Sequence, residues 1–441
     1  MSDVAIIGGG LPGLAAARTL RNAGVRCTLF EASSQLGGRA RSEHFGDITV
    51  DHGFQLLNSW YPSLKELLSS GEYAALNQRA FRAGIQTCTE ETRAFVGDPV
   101  RTPRILRDLM SKSGRSAFSL RDLMGLRKWL GTELTHRSSL ELRTISKNRR
   151  KRDAFVRDAL NDSGVNRRMR TAVANPAMRA FMLDTDGETS TIIAKWVFGT
   201  FLRGAPTVPA EGMGDVANLL GRNTGVITET NAKVTGIRVQ EPSAHQAGTV
   251  RVELGEQGRV ENFRYVILAV PQNVEAELLG RSLLPTRGME TFWFVSDEPV
   301  GDSPVITVDG SGKSPVASIA ELTAVAPSYA PGRHLVQGSV AFGGSSRALR
   351  ADQIPNETEM RRHMGALLGV DPAGWELVTR HHIPNAFPTF TPAMAAQAAN
   401  EDLLIKGSVA LAGIQHATPS VDGALRSGQR AAQRVIELLK D

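Results

Sequence analysis

An α/β fold organised on a parallel sheet is what this sequence predicts, on three observations. Val4-Ala5-Ile6-Ile7 is a short apolar run of the kind found in strands buried on both faces. The chain then turns through Gly8, Gly9, Gly10 and Gly13 into a helical stretch ending near Gly24. A second apolar run, Val25 to Phe30, stops at Glu31. Strand, glycine turn, helix, strand and acid in that order make a βαβ unit of the Rossmann, dinucleotide-binding type.

Each residue of that unit has a physical reason. Gly8 permits a tight turn, Gly10 lets backbone approach a pyrophosphate, and Gly13 lets helix and strand pack closely. Leu11 and Pro12 lie in the first helical turn, where N–H groups and the helix dipole favour an anion. Glu31 follows Gly13 by 18 residues, near the roughly 20 expected of an acid that grips a ribose. Such an acid repels a 2′-phosphate, so NADP is not expected. Gly8, Gly10, Leu11, Pro12, Gly13, Glu31 and the adjoining Ala32 are the first candidate cofactor-binding residues.

The 441 residues exceed one typical core and predict two domains. An apolar content of 41% and a charged content of 22% are those of a globular chain. Cys27 and Cys88, the two cysteines, give no disulfide framework, so a reducing cytoplasm is expected. The first strand begins at Val4, which leaves no room for a signal peptide, and no apolar run reaches the ~18 residues of a membrane span. No zinc-ligand spacing, phosphate-binding P-loop or nucleophile elbow is present, and no metal is expected.

Past the acid comes Leu36-Gly37-Gly38-Arg39-Ala40-Arg41-Ser42, then Asp51-His52-Gly53-Phe54-Gln55-Leu56. The paired glycines offer a second close backbone approach, and Arg39 offers a guanidinium for phosphate. Together with the opening turn these segments resemble the start of the flavin-containing amine oxidase and phytoene desaturase superfamily. The resemblance implies non-covalent FAD, with Gly37, Gly38 and Arg39 at the pyrophosphate and Gly53, Phe54, Gln55 and Leu56 beside the flavin ring. Read alone, the second segment is also a strand end and turn, with His52 structural.

Two more regions carry the likeness. Residues 209–214, Pro-Ala-Glu-Gly-Met-Gly, resemble the turn by which the superfamily re-enters its FAD domain. A helix over 215–221 and strands over 226–230, 232–240, 249–254 and 259–263 follow. The resemblance puts the Val234 backbone at the adenine and Ala269 at the end of a buried strand that stops at Pro271. Near the C-terminus, a strand at 409–413 precedes Ser420-Val421-Asp422-Gly423-Ala424 and a helix to Leu439 with apolar positions at helical period. Gly413, Ser420, Val421 and Ala424 are there the expected flavin contacts, with helix N–H groups at the flavin pyrimidine end. Ile414 stands where the superfamily has Asp, which removes a cofactor contact.

Between these regions the chain is basic and helical in pattern from 92 to 179, with helices expected near 102–110, 119–129 and 149–160. The run Lys147-Asn148-Arg149-Arg150-Lys151-Arg152 reads as a solvated helix face or as a patch against a membrane surface. No aromatic interleaving or base-reading motif accompanies it, so nucleic acid is not expected. Phe181, Trp196, Phe198 and Phe201 belong to core or to a pocket wall. Strand-like runs at 290–297, 305–308, 316–320 and 334–342 predict a second sheet. Amine oxidases carry a lysine near the flavin in the first of these, and here Phe292-Trp293-Phe294 carries none. That points to aromatic packing against an apolar carbon skeleton.

The sequence thus predicts a glutathione-reductase-like FAD-binding domain from residues 1–80, 209–288 and 392–441, with an inserted mixed α+β substrate domain from 81–208 and 289–391. The expected activity is FAD-dependent oxidoreduction, hydride passing between a carbon of a small lipophilic substrate and flavin N5, as in phytoene-desaturase-like dehydrogenation or saturation. An amine oxidase, or a flavin-free binding protein of the same fold, are the alternatives. A cytoplasmic location with peripheral membrane contact through the basic region is expected, and no catalytic residue is assigned.

Overall fold

Val4–Ile7 forms the expected strand, with all four residues buried. In the computed structural model, which describes residues 3–90, 92–97, 125–126, 128–131, 153–222, 225–240, 248–255, 258–301 and 304–440, this strand is central to a six-stranded sheet. It pairs in parallel with Cys27–Phe30 on one side and Tyr265–Leu268 on the other, Val4 opposite Cys27 and Tyr265. Ile227–Glu229 and Val409–Leu411 add parallel strands outside these, and Leu404–Ile405 closes one edge antiparallel.

Alternation along a strand sorts the two faces. Val4 and Ile6 pack into a layer of helices, Leu11–Asn22, Gly214–Gly221 and Val421–Leu438. Ala5 and Ile7 pack against Val250, Val252 and Phe263 of an antiparallel meander, Val234–Gln240, Thr249–Leu254 and Arg259–Phe263. Both faces are covered, which is why the run is apolar throughout. Each fully buried Val or Ile here contributes about 1.5–3 kcal/mol. Asn231 sits at the turn before the meander with φ +53°.

The second sheet has seven strands in the order Glu376–Pro388, Thr286–Ser296, His334–Gly343, Val316–Glu321, Ile306–Asp309, Gly84–Cys88 and Arg93–Gly97. Only the pair Ile306–Asp309 and Gly84–Cys88 is parallel. The helix Glu357–Leu368 covers one face through Met360 and Met364. Helices Val156–Asp162, Asn175–Met182 and Thr191–Arg203 gather in a separate apolar cluster with Ile85 and Val308.

The connection between the sheets is pinned by one buried carboxylate. Asp51 Oδ1 accepts from the Ser42 hydroxyl at 2.7 Å and the Met213 N–H at 2.8 Å, and its Oδ2 accepts from the Tyr329 hydroxyl at 2.9 Å. Met213 belongs to the turn by which the chain returns to the first sheet, so the Gly-Met turn is fixed by an acid 162 positions earlier.

Among described residues, the expected helix at 149–160 begins only at Val156, because Phe155 is drawn into a bridge with Ser190. The helix at 102–110, most of that at 119–129, and the basic run at 147–152 lie outside the described residues. No helix among the described residues is long and apolar enough to cross a membrane.

Candidate cofactor and substrate site

The site grows from the first turn. Gly8 has φ +100°, its N–H donates to Phe30 O at 2.8 Å, and a Cβ there would stand 2.5 Å from Ala269 O. A Cβ on Gly13 would stand 1.9 Å from Gly8 O, so the helix can approach the strand only with glycine at 13. Gly10, the residue capping that helix, is different. Its Cβ position is open but for Pro12 Cδ at 3.7 Å, and the space lies over N–H groups with no intrahelical acceptor.

Gly37 and Gly38 form a second turn stacked on the first. Gly37 N–H donates to Gly9 O at 2.9 Å, and a Cβ on Gly38 would sit 3.2 Å from Gly10 Cα. Glu31 ties the turns together from the end of its strand. Its Oε2 accepts from Gly9 N–H at 2.7 Å, and its Oε1 accepts from Ser33 N–H at 2.8 Å and Ser33 Oγ at 2.7 Å. The acid therefore shapes the glycine turn as well as facing the cavity.

The last helix arrives from the other end of the chain. Ser420 Oγ caps it by accepting from Gly423 N–H at 2.9 Å. Asp422 in its first turn reaches back to accept from Ser63 N–H at 2.9 Å. Gly413 N–H donates to Ser427 Oγ at 2.9 Å, which fixes the end of the last parallel strand against this helix.

These segments enclose one cavity of about 480 Å³, within the range of small-molecule and cofactor sites. Gly8, Gly10, Leu11, Pro12, Glu31, Gly37, Gly38 and Arg39 line one part, and Phe54, Gln55, Leu56, Ala269, Gly413, Ser420, Val421 and Ala424 line the rest of the expected set. Gly13, Ala32, Gly53 and Val234 are not in its wall. Gly13 acts through packing, as above. Gly53, at φ +87°, is pressed between Met289 and Ile383, which themselves line the cavity. Val234 is buried where the meander meets the sheet.

Arg39 has a second partner besides the cavity. It lines the cavity but donates to the Ala386 carbonyl on the edge strand of the second sheet, and its burial pushes the guanidinium pKa down. It therefore joins the second glycine turn to the second sheet as well as lining the cavity.

The aromatic strand needs a larger correction. Phe292, Trp293 and Phe294 are fully buried and none lines the cavity. Phe292 and Phe294 pack under Met360 and Met364, and Trp293 packs against Ile48, Val50 and Tyr329. Strand alternation sends them into two cores, and Met289 is what this strand gives the cavity. The apolar wall comes instead from Phe181, Trp196 and Phe201 on the helices Asn175–Met182 and Thr191–Arg203, with Phe54, Leu56 and Phe387. Phe181 and Phe201 rings lie 4.3 Å apart. Phe198 faces away, edge-on to Trp129.

Tyr61, Thr200, Ile306, Ser318 and Gln415 also line the cavity, and no motif in the sequence marks them. Tyr61 follows the Gly-Phe-Gln segment closely, which is the only signal that could have found it. Burial and the nearby Asp422 carboxylate hold its hydroxyl protonated far above the ordinary range.

Beside Gly53, Glu43 links two histidines, with Oε1 3.1 Å from His52 Nδ1 and Oε2 3.4 Å from His381 Nε2. His381 Nδ1 accepts from Gly53 N–H at 3.2 Å, which places its proton on Nε2. Arg41 lies 3.0 Å from His52, and burial together with that cation pushes the His52 pKa down. A guanidinium at this distance disfavours a metal cation, so the trio reads as a hydrogen-bonded brace under the Gly53 turn.

Two helix N-termini, two glycine turns and an acid around one cavity fit an elongated dinucleotide, and this arrangement on a doubly covered parallel sheet defines a dinucleotide-cofactor oxidoreductase fold. The model of the family "Flavin containing amine oxidoreductase" matches residues 11–436. The chain belongs to that family, and its cofactor is FAD. This membership leaves no support for the flavin-free alternative.

Solved structures agree in fold. A candidate protoporphyrinogen oxidase from Exiguobacterium superposes with a TM-score of 0.69 at 15% identity, covering 100% of this chain and 99% of that one. A redesigned putrescine oxidase double mutant superposes at 0.68 with 18% identity, covering 99% of each chain. Hydroxysqualene dehydroxylase of Zymomonas mobilis is 46% identical over 70 residues, which is 15% of this chain and only 17% of that relative's length.

Proposed function

We propose that this protein moves a hydride between a carbon of a lipophilic substrate and flavin N5, by dehydrogenation or saturation. One observation carries the substrate class. The cavity passes from the glycine turns to a room walled by Phe54, Leu56, Phe181, Trp196, Phe201 and Phe387, and among described residues Glu31 is the only acid in its wall. Arg39 and Arg41 add positive charge there. Among described residues the aromatic room offers an ammonium substrate no carboxylate to pair with, whereas an apolar skeleton gains by leaving water. The local likeness to a protein named hydroxysqualene dehydroxylase supports the same direction.

Bound FAD supplies the hydride acceptor or donor. In this reading Gly8, Gly10, Leu11, Pro12, Gly37 and Gly38 hold the pyrophosphate, and Glu31 the ribose. Gly413, Ser420, Val421 and Ala424 hold the flavin end beside Phe54–Leu56. The protein's own work is to orient the substrate, exclude water and present the last helix's positive end. The basic residues at 147–152 would bring the enzyme to a lipid surface, and cosedimentation with anionic vesicles tests that role.

Anaerobic mixing of the flavin-loaded protein with carotenoid-like polyenes, porphyrinogens and primary amines tests the substrate class. Loss of the visible flavin band with an apolar substrate is expected for dehydrogenation, and return of the band in protein first reduced with dithionite is expected for saturation. The second reading is amine oxidation, favoured by the family's name and the putrescine oxidase fold match. Rapid bleaching by a primary amine, with none by the apolar panel, overturns the first reading in its favour.

A further inference from the structure

Behind the cavity wall lies a charge cluster that neither the glycine turns nor the apolar room explains. His416 is buried, only 4% exposed, at the end of the short turn Ile414–His416. Its Nε2 is 2.8 Å from Glu275 Oε2, and its Nδ1 is 3.0 Å from Glu401 Oε2. Glu275 sits on the helix Gln272–Leu279, directly after the strand that ends at Val270-Pro271. Glu401 follows the helix Pro392–Asn400.

The other groups facing the imidazole are few. Arg281 holds Glu401 at 2.6 Å and stands 4.0 Å from Glu275. Arg430 of the last helix donates to the His416 carbonyl at 3.1 Å. Gln415, whose side chain lines the cavity, donates to Glu275 Oε2 at 2.8 Å and to Val270 O at 3.1 Å. One imidazole thus ties together three segments, alongside the Arg281–Glu401 pair and the Gln415–Glu275 bond.

We propose that His416 is a positioning residue of the flavin site, clamped between Glu275 and Glu401 so that Gly413, Ile414 and Gln415 keep their places in the cavity wall. The proposal rests on FAD occupying that cavity. Nε2 hydrogen-bonds Glu275, whereas Nδ1 meets Glu401 at ion-pair distance without hydrogen-bond geometry, so the Glu401 side of the clamp is charge attraction and needs the protonated ring. Burial alone would push the imidazole down, but the Glu275 and Glu401 carboxylates outweigh it and hold it up at about 9. Raised above its unfolded value, the group contributes fully below about 6.5 and loses its contribution as pH rises through about 9.

The experiment is flavin retention by the purified holoprotein after gel filtration between pH 6 and 10, read as the ratio of visible to protein absorbance. Wild-type protein should release flavin in a step near pH 9. Glu275→Gln removes one of the two charges, and its release midpoint should fall by at least about one pH unit. His416→Gln should hold FAD roughly tenfold more weakly at pH 7, with no step left at higher pH. A purely structural role would lower retention without moving the midpoint. Coincident midpoints for wild type and Glu275→Gln overturn the proposal, and so does wild-type retention in His416→Gln. If His416→Gln does not fold, the other two curves decide. Wild-type protein that carries no flavin at any pH is a separate outcome, which removes the flavin reading and this clamp with it.

Discussion

Gly428 lies flat against the Pro12 carbonyl: a Cβ at 428 would stand 2.0 Å from that oxygen. The contact joins the last helix to the first, across almost the whole length of the chain, and it places both helix N-termini at one cavity. Gly428→Val should therefore force these helices apart. A destabilisation of about 1–3 kcal/mol is expected from such overpacking, with weaker flavin retention, and denaturant unfolding alongside flavin absorbance measures both. A variant as stable and as yellow as the parent would show that the helices tolerate the separation.

Glu31 holds Gly9 N–H with one oxygen and Ser33 with the other. Glu31→Ala loses these bonds as well as the proposed ribose contact. FAD should bind roughly tenfold more weakly, the scale of losing a hydrogen bond to a charged group. Dialysis followed by flavin quantification checks this, and unchanged occupancy would count against the ribose assignment.

Phe181 forms cavity wall and packs against Phe201. Phe181→Ala should raise KM for a bulky apolar substrate about tenfold, corresponding to ~1.4 kcal/mol of lost contact. The visible flavin spectrum should not change, because the residue lies on the helices of the substrate side. Steady-state kinetics with the spectrum as control separates the two effects.

Asp184 and Arg287 form a buried ion pair at 3.2 Å. Asp184 Oδ1 and Oδ2 also accept backbone N–H groups from Asp186, Gly187, Glu188 and Thr189, and Arg287 donates to Met182 O and Thr189 Oγ1. This pair joins the helix carrying Phe181 to the second sheet. Burial alone would raise the Asp184 pKa, but Arg287 and the bonds from the loop outweigh it and hold the carboxyl below its usual range. A depressed acid contributes stability above its unfolded value, near 3.9, and loses it as pH falls through the folded one. Asp184→Asn leaves Arg287 buried without its counter-charge and should cost about 3–5 kcal/mol at neutral pH. The difference from wild type should shrink as pH drops below about 4, and denaturant titrations at pH 7 and pH 3.5 would reveal it.

Much of the architecture was legible in local pattern. The strands at 4–7, 265–268 and 409–411 are short apolar runs, and the turn between them and the first helix carries glycine at 8 and 13, where a Cβ would collide with backbone. The nearer details of the site were less so. Trp196 and Trp293 stand in equally apolar surroundings in the sequence, yet one walls the cavity and the other fills a core. The helix at 191–203 turns one side to the cavity, while the strand at 286–296 is covered on both faces. Arg39 lines the cavity as its sequence context suggests, but its bond to a carbonyl 347 positions away is recorded in no local pattern.

The sequence by itself determined that a glycine turn joins strand to helix and that an acid closes the next strand, because positive φ, close backbone approach and helix-end charge are properties of single residues and near neighbours. Only the tertiary structure decided which aromatics meet the cavity, which cation Glu275 and Glu401 enclose, and that Gly428 rests on Pro12. Those relationships join residues tens to hundreds of positions apart, and no local periodicity records them; they are fixed only when the layers pack and every buried charge and polar group must find its partner.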